Sequence, residues 1–220
     1  MIHLSVLPFS LFLLLDFLGV FAGAIGGGLE AMRNEKYDYD FIGVLGLALT
    51  SALGGGITRD MLLGKGPPLA FQDVRYLPTA LAGALIALAF RGHIGPRMRN
   101  AIVWIDAAAV GFFAVAGSTR AIDANMTLFP ALILGTITAV GGGALRDVLS
   151  GRTPRVFESG QPYAIAALLA SAVFLLENNL GVSRPVSTSF GLAMGFLVRF
   201  LALRYNLKTP SMRERGPAGF

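Results

Sequence analysis

Cysteine is absent from all 220 residues, which rules out disulfides and thiol chemistry. Histidine is nearly absent: His3 and His93 are the two, each at a predicted membrane edge and distant from the other in sequence, so a metal site is not expected. Charge is scarce too, at 14% Asp, Glu, Lys and Arg against about 25% in ordinary soluble chains. No nucleophile–base arrangement and no paired catalytic carboxylates stand out, which argues against an enzyme and leaves no cofactor to predict.

What is present is apolar. Hydrophobic residues make up 54% of the chain and mean hydropathy is strongly positive, which together indicate a polytopic membrane protein. The first stretch, MIHLSVLPFSLFLLLDFLGVFAGAIGGG, lacks a basic segment before its apolar core and a clear small-residue cleavage site, so it reads as a retained helix. A net charge of +5 could suggest nucleic acid. The basic residues, however, are spread over short loops and a tail beside apolar segments, where anionic lipid headgroups are the natural counter-charge and no nucleic acid is expected.

About 20 apolar residues cross a bilayer, and on that rule the chain predicts seven transmembrane helices at 8–32, 41–63, 76–91, 100–121, 128–149, 162–177 and 186–204. They form one transmembrane domain over 1–205, followed by a flexible tail over 206–220. The basic residues of alternate loops are unequal: Lys65, Arg75, Arg120 and Arg184 on one side, and Arg33, Lys36, Arg91, Arg97, Arg99, Arg152, Arg155, Arg204, Lys208, Arg213 and Arg215 on the other. The positive-inside rule then puts the C-terminus in the cytoplasm and, with an odd helix number, the N-terminus outside.

The chain repeats itself. GGGITRDMLLGKGPP from Gly54 and GGGALRDVLSGRTPR from Gly141 align without gaps at an offset of 87, and DFLGVFAGAIG from Asp16 loosely matches DAAAVGFFAVAG from Asp106. Repeat 1 covers about 8–91, repeat 2 about 100–177, and the last helix is extra. Three helices per copy is an odd number, so the second copy enters the membrane from the opposite side. The predicted fold is therefore all-α, an inverted repeat of three plus three helices with a C-terminal seventh, an architecture whose pathway lies between broken helices near the midplane.

Each interior glycine costs about 0.5–1 kcal/mol relative to alanine, so Gly54, Gly55 and Gly56 in one helix, and Gly141, Gly142 and Gly143 in another, predict a kink or break there. Carbonyls freed at a break must face protein or water, and carbonyls facing water are hard ligands for a transient monovalent cation. The alternative is that the glycines only let two helices approach closely. Arg59–Asp60 and Arg146–Asp147 are neighbours on their helices, with side chains diverging by roughly 100°, so each arginine is expected to find another partner or to reach for headgroups. A cross-repeat pairing, Arg59 with Asp106 and Arg146 with Asp16, is the arrangement that would work as a gate. Asp16 and Asp106 are either pore-lining cation attractors or buried packing groups. Thr50, Ser51, Thr136 and Thr138 either extend a polar lining or bond back to their own helices. Glu30 reads as interfacial beside Arg33, and Arg199 as snorkelling.

The doubled GGG-x-x-RD, the Asp-led first and fourth helices, the seven-helix count and the sidedness resemble the trimeric intracellular cation (TRIC) channel family in its prokaryotic branch, over about residues 12–205. The resemblance implies a homotrimer in the prokaryotic inner membrane, lipid-embedded and without another protein partner. It further implies a pore inside each protomer formed mainly by the first, second, fourth and fifth helices, with potassium and sodium as permeant ions. By position it puts Gly54–Gly56 with Arg59 and Asp60, and Gly141–Gly143 with Arg146 and Asp147, on the pore. Animal members carry a pore-helix lysine implicated in voltage response; no Lys lies between Ile102 and Thr119, so that property does not carry over. Related bacterial sequences with the same repeat are assigned as small amino-acid transporters, for glycine in particular, which is the competing reading.

Overall fold

The computed structural model describes residues 10–34, 36–90, 96–160 and 162–210, with backbone only for 96–103 and 106. The early N-terminal residues, both histidines and most of the predicted tail thus lie outside the described residues. Those residues form eight helices: α1 (Leu11–Met32), α2 (Phe41–Leu63), α3 (Leu69–Gln72), α4 (Tyr76–Ala89), α5 (Pro96–Asp123), α6 (Leu128–Leu149), α7 (Tyr163–Asn179) and α8 (Arg184–Arg204). The predicted spans 41–63 and 128–149 coincide with α2 and α6. The one-turn α3 was not expected.

Local chemistry sets the ends. The Ser10 hydroxyl accepts from the Leu13 amide at 3.3 Å, and Asp40 Oδ1 accepts from the Gly43 amide at 2.7 Å, so α1 and α2 start on side-chain caps. After the Arg-Asp pairs, Gly64 (φ +62°) and Gly151 (φ +64°) take the left-handed conformation that stops a helix. That requirement explains why the repeat keeps a glycine at both places. Four helices, α1, α2, α6 and α8, are long and apolar enough to cross a membrane. At 14 and 17 residues, α4 and α7 reach only about 21 and 26 Å at 1.5 Å per residue, short of a hydrocarbon core of about 30 Å.

Two three-helix groups make the body. Helices α1, α2 and α4 pack on one another, as do α5, α6 and α7; α1 against α5 and α2 against α6 join the groups, and α8 lies on α5 and α7. The largest apolar cluster sits at that junction, with Val20, Ala24, Ala52, Val110, Phe113, Ala114 and Ala139 among its members. Much of the outside is apolar as well: Ile42 (68% exposed), Phe71 (74%) and Phe129 (71%) would be costly in water.

Candidate functional site

The two glycine triplets meet each other. An added Cβ at Gly55 would stand 2.1 Å from the Thr138 carbonyl oxygen, and one at Gly142 would stand 2.2 Å from that of Ser51. Gly54 faces the Gly142 Cα and Gly141 faces the Gly55 Cα, both at 3.4 Å from the added carbon. These reciprocal contacts carry the sequence offset of 87 in both directions. Because residues later in α2 meet residues earlier in α6, the two helices run antiparallel where they cross. The expected break is not there: α2 and α6 continue through their triplets, which keeps the triplet carbonyls within the helical ladder. The glycines serve close approach, at a separation only residues without Cβ permit. The hydroxyls also turn inward on their own helices, with Thr50, Thr136 and Thr138 donating to the carbonyls of Gly46, Leu132 and Leu134 at 2.8, 2.9 and 2.7 Å. Ser51 is buried at the crossing.

The third glycine of each triplet lies beside the arginine that follows it. The Arg59 Nη2 lies 3.7 Å from where a Cβ on Gly56 would be, and the Arg146 Nη2 lies 3.8 Å from the same point on Gly143. Each guanidinium folds back along its own helix, at a distance where a Cβ one turn earlier would make only an ordinary contact. That route corrects the expectation that adjacent Arg and Asp cannot face each other. Arg59 Nε donates to Asp60 Oδ1 at 2.8 Å, and Arg146 Nη2 donates to Asp147 Oδ1 at 2.8 Å. Neither arginine snorkels; they are 1% and 6% exposed.

Around Arg59 a closed network forms. Its Nη1 and Nη2 donate to the two oxygens of Asp16 at 3.1 and 3.3 Å, the Tyr76 hydroxyl donates to Asp16 Oδ2 at 2.5 Å, and the Leu69 amide at the start of α3 donates to Asp60 Oδ2 at 2.8 Å. The partner of Arg59 is therefore Asp16 of its own repeat. The predicted cross-repeat pairing is wrong because α1 and α2 pack side by side, bringing Asp16 to the C-terminal end of α2. Asp16 is 1% exposed, a buried bonded group and not a free attractor. The side chain of Asp106 lies outside the described residues.

A second network occupies the opposite end. Asp147 Oδ2 accepts from the Arg155 amide at 3.2 Å, much as Asp60 accepts from Leu69. Glu30, at the end of α1, accepts from Arg152 at 3.0 Å and from Arg155, with Arg33 at 3.7 Å. Glu30 is thus more than an interfacial neighbour of Arg33: it ties α1 to the loop after α6. Arg199 does not snorkel either; it is 4% exposed, with its guanidinium 4.9 Å over the Tyr163 ring.

Between the two networks the described side chains pack around Phe113. The Phe113 ring lies against Gly19 and Gly23, within 2.8 and 3.4 Å of an added Cβ. Among the described residues, a void of about 20 Å³ near Arg146 reaches Gly23, Gly27 and Ser51, and another of about 20 Å³ reaches Asp147 and Arg155. At the Arg59 end a larger cavity of about 480 Å³ opens between α1, α5 and α8. The Phe12 ring lines it, with the Arg59 guanidinium 5.2 Å and the Arg120 guanidinium 5.8 Å from the ring centre. Sequence reasoning passed over Phe12, Phe113, Tyr76 and Tyr163. For the tyrosines a signal existed, since they too are 87 residues apart.

Comparison with known proteins matches this geometry to a family. One family model, described as a glycine transporter, matches twice, at residues 13–92 and again at 103–178. A protein solved in a study of conductance through TRIC cation channels superposes with a TM-score of 0.82 at 30% identity, over 94% of this chain and 100% of that one. A TRIC orthologue from Rhodobacter sphaeroides does so with a TM-score of 0.82 at 32% identity, over 90% and 100%. The chain belongs to the TRIC family, in its prokaryotic branch. A UPF0126 membrane protein of Streptomyces coelicolor is 42% identical over 94% of this chain and 93% of its own length. The inner membrane protein YadS of Escherichia coli, also UPF0126, is 31% identical over 90% and 94%. The solved relatives are described as TRIC channels and the UPF0126 relatives as membrane proteins, and the present chain is likewise an all-α membrane protein and not an enzyme. The double match of one family model to two halves of the chain agrees with the repeat seen in the residues.

Proposed function

We propose that each protomer conducts monovalent cations, potassium and sodium, along an interior path bounded by α1, α2, α5 and α6, and that the conformation described here is closed. The observation that carries this reading is the pair of buried Arg-Asp networks at opposite ends of one antiparallel glycine crossing, in a chain whose solved relatives are cation channels. Ionised groups inside apolar helices are costly, and where they occur they commonly pair in the bundle interior and mark an ion pathway. Asp16, Asp60 and Asp147 are each bonded to a donor in this conformation. Opening then means releasing these carboxylates into a wet path, where they attract cations and the triplet carbonyls and nearby hydroxyls replace part of the ion's hydration. The antiparallel crossing of α2 and α6 supports an inverted repeat.

The same reading takes the protein as a homotrimer in a prokaryotic inner membrane, in keeping with the trimeric description of the Rhodobacter orthologue and the inner-membrane description of YadS. The Asp123–Arg184 pair (2.7 Å) and the Glu30–Arg152 pair (3.0 Å) join helix ends and a loop that the charge count groups on the same side, which supports that grouping; the positive-inside rule then puts the N-terminus outside and the C-terminus in the cytoplasm. Purified protein in planar bilayers with symmetric KCl and no amino acid should give discrete currents. Silent bilayers, together with labelled glycine uptake into vesicles, would refute conduction and favour the transporter that the family model's description names.

A further inference from the structure

The cavity of about 480 Å³ at the Arg59 end falls in the size range of small-molecule sites. Its floor is apolar, from Leu11, Phe12, Leu15 and Phe174, and its polar wall holds Arg120, Asp123 and Arg184. Asp123 is already taken by Arg184 at 2.7 Å. Arg120 forms no ion pair among the described residues; the Phe12 ring is its recorded contact, and its Nε is buried without a hydrogen-bond acceptor. Arginine beside apolar surface normally sits against a carboxylate or phosphate.

The opposite end explains why this arginine is left over. Counted at the offset of 90 that relates Asp16 to Asp106, Arg120 stands where repeat 1 has Glu30. Glu30 is held by Arg152 and Arg155 of the following loop. At the Arg59 end the equivalent loop positions are Lys65 and Pro68, neither of which offers a carboxylate. The Glu30 position is therefore held by ion pairs at one end, whereas at the other its counterpart Arg120 forms none among the described residues and lines the cavity beside apolar side chains.

We propose that this cavity binds an amphiphilic monoanion, its carboxylate or phosphodiester head on the Arg120 guanidinium and its alkyl body against Phe12, Leu15 and Phe174. The site is independent of whether the protein conducts, because its test reads binding. Octanoate titrated into the detergent-purified full chain should bind saturably and at least tenfold more tightly than octanol. Arg120→Gln should weaken octanoate at least tenfold and leave octanol unchanged, with Arg120→Lys intermediate. Raising NaCl should weaken octanoate binding to the unaltered chain and spare octanol, a measurement that needs no variant to fold. In phosphatidylcholine nanodiscs, competition by added phosphatidylglycerol identifies the head as a lipid phosphodiester, and its lack identifies a free carboxylate. Equal binding of octanol and octanoate, or an Arg120→Gln protein with undiminished octanoate affinity, overturns the proposal.

Discussion

Gly55→Ala probes the α2–α6 crossing where it is tightest. The added carbon would stand 2.1 Å from the Thr138 carbonyl oxygen and 3.3 Å from the Gly142 amide nitrogen. Carbon contacts settle at about 3.5–4.0 Å, so the helices must part by about 1 Å or more, or bend. Overpacking of this kind costs about 1–3 kcal/mol, and alanine's better helix propensity returns about 0.5–1 kcal/mol. The expected net is a loss of about 1–2 kcal/mol. Its neighbour is the control: at Gly56 the nearest atom is the Arg59 Nη2 at 3.7 Å, an ordinary contact, so Gly56→Ala should gain the propensity term alone. With each kcal/mol worth roughly 2–4 °C in a chain of this size, the two variants should differ by several degrees in detergent thermal unfolding. The Gly55→Ala/Gly142→Ala double variant should lose less than the sum of the singles, because parting the helices once relieves both contacts. Equal melting of the Gly55→Ala and Gly56→Ala proteins would refute the packing role assigned here.

Asp16→Asn leaves the buried Arg59 with one of its two carboxylates; breaking buried pairs costs about 3–5 kcal/mol, so a marked loss of thermal stability and, in bilayers, longer openings are expected. Tyr76→Phe removes the 2.5 Å hydrogen bond to Asp16 and should cost about 1.5–3 kcal/mol, as bonds to charged groups do, read as a lower Tm with the fold retained by circular dichroism. Glu30→Gln acts on arginines that are 32% and 49% exposed; such pairs are worth about 0–1 kcal/mol, so Tm should barely move, while any effect on current should fade as salt is raised.

Much of this protein could be read from the linear chain. Apolar length alone located α2 and α6, because the run that crosses a bilayer is a local property of the chain. The doubled GGG-x-x-RD was equally visible, as was the family it belongs to. What the triplets and charges do was decided only by packing. A glycine triplet weakens a lone helix, yet against a second triplet it permits an approach that no other residue allows, and α2 and α6 remain helical through the crossing. An arginine next to an aspartate points elsewhere on an ideal helix, yet inside the bundle its long side chain folds back and reaches that neighbour. Asp16 found Arg59 and not Arg146 because the side-by-side placement of α1 and α2, a property of the assembled bundle, sets which buried charges lie within reach of one another.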